Sequence, residues 1–319
     1  MLISTLDLDN IESLNTVIKE RNDLSVLNRY GERDFTKESL DALSRIGMLD
    51  MEGNLLNEMK PTIQLLSNPY AVMKVMFTGG VGTYEHNINY DPSFHHHVSF
   101  TVTPGSFSID DETNPMSIVK VLEDFVGKSN LKSINLSSKF DTTQALVIAA
   151  VVDMERRLSL RAFVDELPMI HNSYSTNMIW RIINSTSSSI QWFVSIVNEV
   201  IGEHVALSLW QVQEAVEQLT EKGVLLQNNR QYKLAGDIAS LPGRMIIVDN
   251  VLSVQIAKKN ATDAVVSSGF TCVQAGVHDL LLIDYNGKEM VFETITSVRL
   301  LNYMERFLSC EDSFAKLDA

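Results

Sequence analysis

Apolar positions in the first part of the chain recur at helical spacing, then switch to alternation. Leu8, Ile11, Leu14, Ile18, Leu24 and Leu27 predict one amphipathic helix over residues 7–28. In DFTKESLDALSRIGML, Thr36 followed by Ser39 signals a helix start. Leu40 and Leu43 then form its stripe, and Gly47 marks its stop. DMEGN (50–54) is a turn by composition, and a second helix fits 56–66, complicated by Pro61 and ended by Pro69. From Ala71 the period falls to two. AVMKVMFTG, TYEHNINYD, FHHHVSFTV and GSFSID, separated by Gly, Pro and Asp, predict a meander of three or four strands. Asn114 and Pro115 open a helix reaching Val126, with Ile118, Val121, Leu122 and Phe125 on its apolar side.

The same order returns in residues 209–248, LWQVQEAVEQLTEKGVLLQNNRQYKLAGDIASLPGRMIIV. Aligning Gly223 with Gly47 puts Val216 on Leu40, Leu219 on Leu43 and Leu225 on Leu49, and a short gap aligns Pro242 with Pro69. Strand-like segments follow again: RMIIVD, VLSVQIA, FTCVQAG, HDLLLIDYN and KEMVFETI. A closing helix over 296–309 places Val298, Leu301, Met304 and Phe307 or Leu308 inward. A repeat of this length is not a solenoid. It predicts an α+β fold of two pseudo-symmetric halves, each a winged-helix-like helix–turn–strand unit with an antiparallel sheet. The expected boundaries are 1–140 and 203–319, joined by a central helical region, 141–202. That middle stretch, beginning TTQALVIAAVVDMERRLSLRAFVDEL, is rich in Ala and Leu and reads as one long helix or two. One or two more helices follow around Trp180, Ile183, Trp192, Phe193, Ile196 and Val197.

Charge alters the functional picture more than the pattern does. The chain has 319 residues, 26 Lys and Arg against 40 Asp and Glu, and a formal net charge of −14. Such a field repels phosphate backbones and anionic membrane at long range, so nucleic acid is a poor partner and no membrane association is expected. The longest apolar run, ALVIAAVV, falls far short of a span of about 20 residues. The N-terminus lacks the early positive charge of a secretory signal. Two cysteines, Cys272 and Cys310, have no metal-like spacing and fit reduced, buried thiols. The expected location is cytoplasmic.

No catalytic, cofactor-binding or metal residue is assigned, and no cofactor is expected. The triple histidine His95–His96–His97 invites a metal reading, since His95 and His97 would share one face of a strand, with His86 or Glu85 as a third ligand. An ordinary polar strand is the simpler account, because no Cys pair or HExxH pattern supports it. Gly79, Gly80 and Gly82 resemble part of a phosphate loop, but a strand follows instead of a helix, so a hairpin turn is preferred. Trp180, Trp192 and Trp210 sit among apolar neighbours at helical spacing, which favours the core over an exposed anchor.

Residues 221–234, EKGVLLQNNRQYKL, have the form of a winged-helix wing. A DNA-reading helix ahead of it should present basic and amide side chains. Residues 209–222 present Gln211, Gln213, Glu214, Glu217, Gln218 and Glu221, with Lys222 the one base, and Arg230 and Lys233 add two charges on the wing. Strong DNA binders make about six to ten phosphate contacts. The shape is winged helix; the charge argues against DNA.

The string LDALSRIGMLDMEGNLLNEMKPTIQLLSNPYAVMKVMF resembles a segment of EspG-type proteins, the cytosolic chaperones of type VII secretion. The positions that carry the resemblance are Leu43, Gly47, Leu49, Leu65, Leu66 and Pro69. It implies a central sheet with helical bundles and pseudo-twofold symmetry, and it carries over no functional residues. The leading expectation is a non-catalytic protein-binding module, a secretion-type chaperone or adaptor with a protein partner, gripping it through an edge strand or groove. The alternative is a winged-helix transcription regulator with a sensor domain, and a homodimer stays open in either case.

Overall fold

The computed structural model describes residues 2–80, 82–111, 114, 116–166, 172–185, 189–260, 262, 264–276, 278–308 and 317. The fold is α+β, and it divides into two compact units. The first comprises Met1–Leu122, Val254–Ser268 and Asn302–Ala319; the second comprises Glu123–Ser253 and Gly269–Leu301.

In the first unit, β1 (Leu2–Leu6), β2 (Ala71–Gly79), β3 (Gly82–Tyr90), β4 (His97–Thr103) and β5 (Ser106–Asp110) form an antiparallel sheet in the order β1-β5-β4-β3-β2. The predicted meander is β2 to β5, while the edge strand β1 lies outside the period-two pattern. The β2–β3 hairpin closes with Gly79 opposite Gly82, so the glycine-rich stretch forms a turn. Three helices bury their stripes against one face of β4 and β5: α1 (Leu8–Val17), α2 (Lys37–Arg45) and α3 (Lys60–Ser67). Leu14, Leu27, Leu43 and Leu66 meet Val98, Phe100, Phe107 and Ile109 there. The predicted single helix over 7–28 is broken. It stops at Val17, and a 3-10 turn, Val26–Arg29, follows. Asn22 accepts from the Leu24 N–H through its side chain, and buried Asn15 donates to the carbonyls of Leu27, Tyr30 and Gly31. Those side-chain bonds offer the backbone an alternative to helix. Pro61 does not interrupt α3, because it falls in the first turn, where no N–H is needed.

α2 shows how local sequence sets element ends. Thr36 and Ser39 form a reciprocal capping box at its start. At its end Gly47 takes φ 77°, Met48 N–H bonds Leu43 C=O at 3.0 Å, and Gly47 N–H bonds Ser44 C=O at 3.1 Å. That is a Schellman stop. A fourth helix, α4 (Ser117–Val126), buries Ile118 and Leu122 as predicted but leaves Val121 exposed. Phe125's side chain and Pro115 lie outside the described residues.

The second unit is built around α5 (Thr142–Val164), a single 23-residue helix. Every residue from Ala145 to Val152 is fully buried. A helix apolar on all sides belongs inside a core. It packs against α6 (Thr176–Ile183), α7 (Phe193–Ile201), α8 (Leu209–Glu221) and α9 (Leu241–Arg244). Here β6 (Ser137–Asp141), β11 (Asp279–Tyr285) and β12 (Glu289–Ile295) run antiparallel to their neighbours, in the order β11-β12-β6. β11 also pairs antiparallel with Gly269–Ala275 of the longer strand β10 (Val265–Ala275). The chain passes between units within α4, within β9 (Asn250–Lys259), within β10 and within α10 (Ser297–Leu308), the predicted closing helix.

α8 repeats the local devices of α2. Ser208 and Gln211 form its capping box, Gly223 takes φ 72°, and Val224 N–H bonds Leu219 C=O at 2.9 Å. The hairpin β7 (Leu225–Asn228) and β8 (Gln231–Leu234) follows, turning through Asn229 and Arg230, both at positive φ. RMIIVD, predicted as a strand, is not one. After α9, Met245 and Ile246 give their carbonyls to Arg156, and Val248 exchanges bonds with the Gln191 side chain. Those four backbone groups are satisfied by side chains instead of a ladder.

Candidate protein-binding groove

Below its apolar stretch α5 carries a buried polar cluster. Asp153 accepts from the N–H groups of Phe193 (2.8 Å) and Val194 (3.0 Å), the first turn of α7. The N-cap of that helix, Trp192, has no side-chain oxygen to offer, so a distant residue supplies the cap. Arg156 lies 3.2 Å from the Asp153 carboxylate and donates to the carbonyls of Met245, Gln191 and Ile246. Burial pushes the Asp153 carboxyl up to about 6, although these donors pull it down.

Beyond Arg156 the helix leaves the core and its pattern becomes amphipathic. Met154, Arg157, Leu158 and Arg161 lie at i, i+3, i+4 and i+7, and so share one face. Met178, Arg181 and Ile182 share a face of α6, and Tyr174 lies just before that helix. The two faces line an open groove of about 760 Å³. Its position depends on a long-range pin, since Tyr174 and Tyr232 on β8 exchange backbone bonds of 2.8 and 2.9 Å. Burial, then the nearby Glu155 carboxylate, pushes the Tyr174 hydroxyl up. Ser175 caps α6 through the Met178 N–H. The Arg157 guanidinium stacks over the Trp192 ring at 4.9 Å, and Arg161 pairs with Asp165 at 3.4 Å. Phe163 and Val164, at the end of α5, are 80% and 77% exposed.

The histidines sit differently from the prediction. His95 and His96 lie in a turn, and only His97 enters β4. Asp91 builds that turn, accepting from the Ser93 hydroxyl and from the His96 N–H. His86 is buried on β3 with Nδ1 2.7 Å from Thr101 Oγ1, and burial pushes it down to about 4. Glu85 points to the other face, 2.5 Å from Arg29 and 3.5 Å from Lys74. Burial alone raises its carboxyl, but the bonds from Arg29 and Asn87 and the two positive charges hold it below the usual range. Among the described residues no group of three His, Cys, Asp or Glu is placed to hold a metal ion.

The tryptophans divide. Trp180 is half-buried and donates from Nε1 to Leu207 C=O at 2.8 Å, whereas Trp210 is 70% exposed. Its core assignment fails because the buried stripe of α8 is Val212, Ala215, Val216 and Leu219, and Trp210 lies off it. Gln211, Gln213, Glu214, Glu217 and Glu221 face solvent on that helix, and Arg230 lies exposed at the hairpin tip. Cys272 is a buried free thiol, pushed up to about 12 by burial, and Cys310 lies outside the described residues. No described helix is long and apolar enough to cross a membrane. The groove itself gave no sequence signal beyond the two helical faces, because their meeting is tertiary.

No family model and no curated protein matches the sequence. Among solved structures, the chain is similar to the Mycobacterium tuberculosis type VII secretion system chaperone EspG5, determined in complex with the PE25–PPE41 dimer. The likeness covers 95% of this chain and 94% of that one, at a TM-score of 0.52 and 10% sequence identity. The chain therefore has the EspG-type α+β fold along nearly its whole length, as the 38-residue resemblance implied.

Proposed function

We propose that the chain is a non-catalytic protein-binding module of the cytosol, acting as a secretion-type chaperone or adaptor. The observation that carries this reading is the fold-wide likeness to a chaperone solved with a protein dimer bound. An open groove with a partly apolar lining, and exposed Val164 one turn past Arg161, supply a surface suited to a protein partner. The outward carboxylates of α8 and the net charge of −14 disfavour the winged-helix regulator. The reading also takes residues 1–140 and 203–319 as pseudo-equivalent halves flanking 141–202. Matching capping boxes, left-handed glycines, and Pro61 and Pro242 in the first turns of α3 and α9 support it. By that local geometry Pro242 corresponds to Pro61 and not to Pro69.

The test is co-purification of the tagged chain from its native cells, with quantitative mass spectrometry against a tag-only control. One protein or complex enriched in near-stoichiometric amount is the expected result. Enrichment of DNA fragments without any protein overturns the proposal.

A further inference from the structure

We infer that the α5–α6 groove holds one helix of an acidic, amphipathic partner protein; this inference rests on the protein-binding reading above. The shape argument comes first. Two helical faces line the groove, and the seven-residue rise from Met154 to Arg161 spans roughly 10 Å. A third helix of two to three turns fits such a channel, presenting apolar anchors at i, i+3 or i+4, and i+7. Leu158, Met178 and Ile182 offer the matching apolar lining, and Met178 is 45% exposed. Methionine adapts its shape to what it contacts, which suits a docking surface.

Charge selects the partner's sign. The chain as a whole carries 40 acidic against 26 basic residues, yet Arg157, Arg161 and Arg181 converge on this one groove. Carboxylates lie near them too, exposed Glu166 next to Asp165 just past α5 among them. Glu155 is buried beside Tyr174, and Asp165 pairs with Arg161 in an exposed geometry. Exposed pairs of that kind are weak and readily exchanged for a partner's carboxylate. Stacking on Trp192 holds the Arg157 plane while leaving its edge donors for bidentate contact. An anionic amphiphile would also match apolar walls with a basic rim. A helix is favoured because Val164, 77% exposed and one turn beyond Arg161 on the same face of α5, carries the apolar surface past the groove, where a pocket-sized molecule leaves it uncovered.

The experiment uses the full chain and a labelled 16-residue helical peptide with leucines at the anchor spacing and glutamates elsewhere. Its controls are the same peptide with lysines for glutamates, and sodium laurate. The acidic peptide is expected to bind at least about tenfold more tightly than the lysine peptide at low salt, and to weaken as salt rises. Arg157→Glu with Arg181→Glu should invert that preference, and Arg157→Gln with Arg181→Gln should abolish it. Both positions are exposed, so far-UV circular dichroism should be unchanged in either double variant. Equal affinities, or a preference that survives charge reversal, overturn the inference. Saturable laurate binding that charge reversal removes, with no peptide binding, overturns it in favour of the amphiphile. A concentration-dependent dimer lost on charge reversal overturns it in favour of a second copy. Native co-purification separates the two readings. A partner retained by the charge-reversed chain ends the groove inference and leaves the chaperone reading standing; a wild-type chain that captures no protein ends both.

Discussion

Replacing Asp153 by alanine is expected to be among the most damaging single changes in the second unit. The carboxylate is fully buried, accepts two N–H groups at the start of α7, and sits 3.2 Å from Arg156. Alanine strands both donors, each costing about 1–3 kcal/mol when buried and unpaired. It also leaves the Arg156 charge without its anion, and breaking a buried pair costs about 3–5 kcal/mol. These costs overlap, because Arg156 keeps its bonds to the carbonyls of Met245, Gln191 and Ile246. About 3–5 kcal/mol is therefore the expected total for Asp153→Ala. Asparagine keeps one acceptor oxygen but turns an amide N–H toward donors, so Asp153→Asn should cost about 1–3 kcal/mol. The assay is urea unfolding followed by tryptophan fluorescence. Trp180, Trp192 and Trp210 are the chain's three tryptophans and all belong to the second unit, so the signal reports that unit alone. pH adds a second reading. Burial holds Asp153 at about 6 folded, against about 3.9 unfolded, so the folded state binds the proton more tightly. Its contribution to stability is fully present below about pH 4 and declines as pH rises to 6, by about 3 kcal/mol for two units. Asp153→Asn should remove that decline. An alanine variant less than about 1 kcal/mol below wild type would refute the capping argument.

Three further outcomes are expected. His86, pushed down to about 4 by burial, gives the first unit the opposite dependence: its stabilising contribution is present above about pH 6.5 and lost as pH falls to 4. Hydrogen exchange in β3 should therefore accelerate over that window in wild type and much less in His86→Gln; a parallel acceleration in both would show that another group, such as nearby Asp110 or His97, governs it. Gly223→Ala should cost about 1 kcal/mol through its φ of 72° alone, since a Cβ there meets nothing within 4 Å; a melting shift matching a loss of 3 kcal/mol would reveal a contact not accounted for. In a mobility shift at physiological salt, duplex DNA should show no sequence-specific binding, given the carboxylates on α8; nanomolar affinity lost in Arg230→Ala would restore the regulator reading.

Short-range interactions made much of this chain legible from its residues alone. Thr36 with Ser39 start α2 and Gly47 ends it, because the partners of those terminal N–H and C=O groups lie within five residues. The strands β2 to β5 showed themselves by alternation, and the acidic outer face of α8 was readable once its buried stripe was known. Asn15 and Asn22, which break the first helix, act through side-chain bonds to nearby loop carbonyls and amides that apolar periodicity does not register. Tertiary contact decided the rest. RMIIVD has strand composition but gives its Met245 and Ile246 carbonyls to Arg156, 89 and 90 residues away in sequence, and Trp210 looks like core until its helix is docked. Asp153 reads as one more charge on a helix, and its role exists only where the first turn of α7 meets it. The groove is the furthest case. Its walls come from helices whose meeting rests on the Tyr174–Tyr232 pairing, and no local pattern encodes which two faces come together. Hydrophobic periodicity states that a face is buried or bare, and only packing states what lies opposite it.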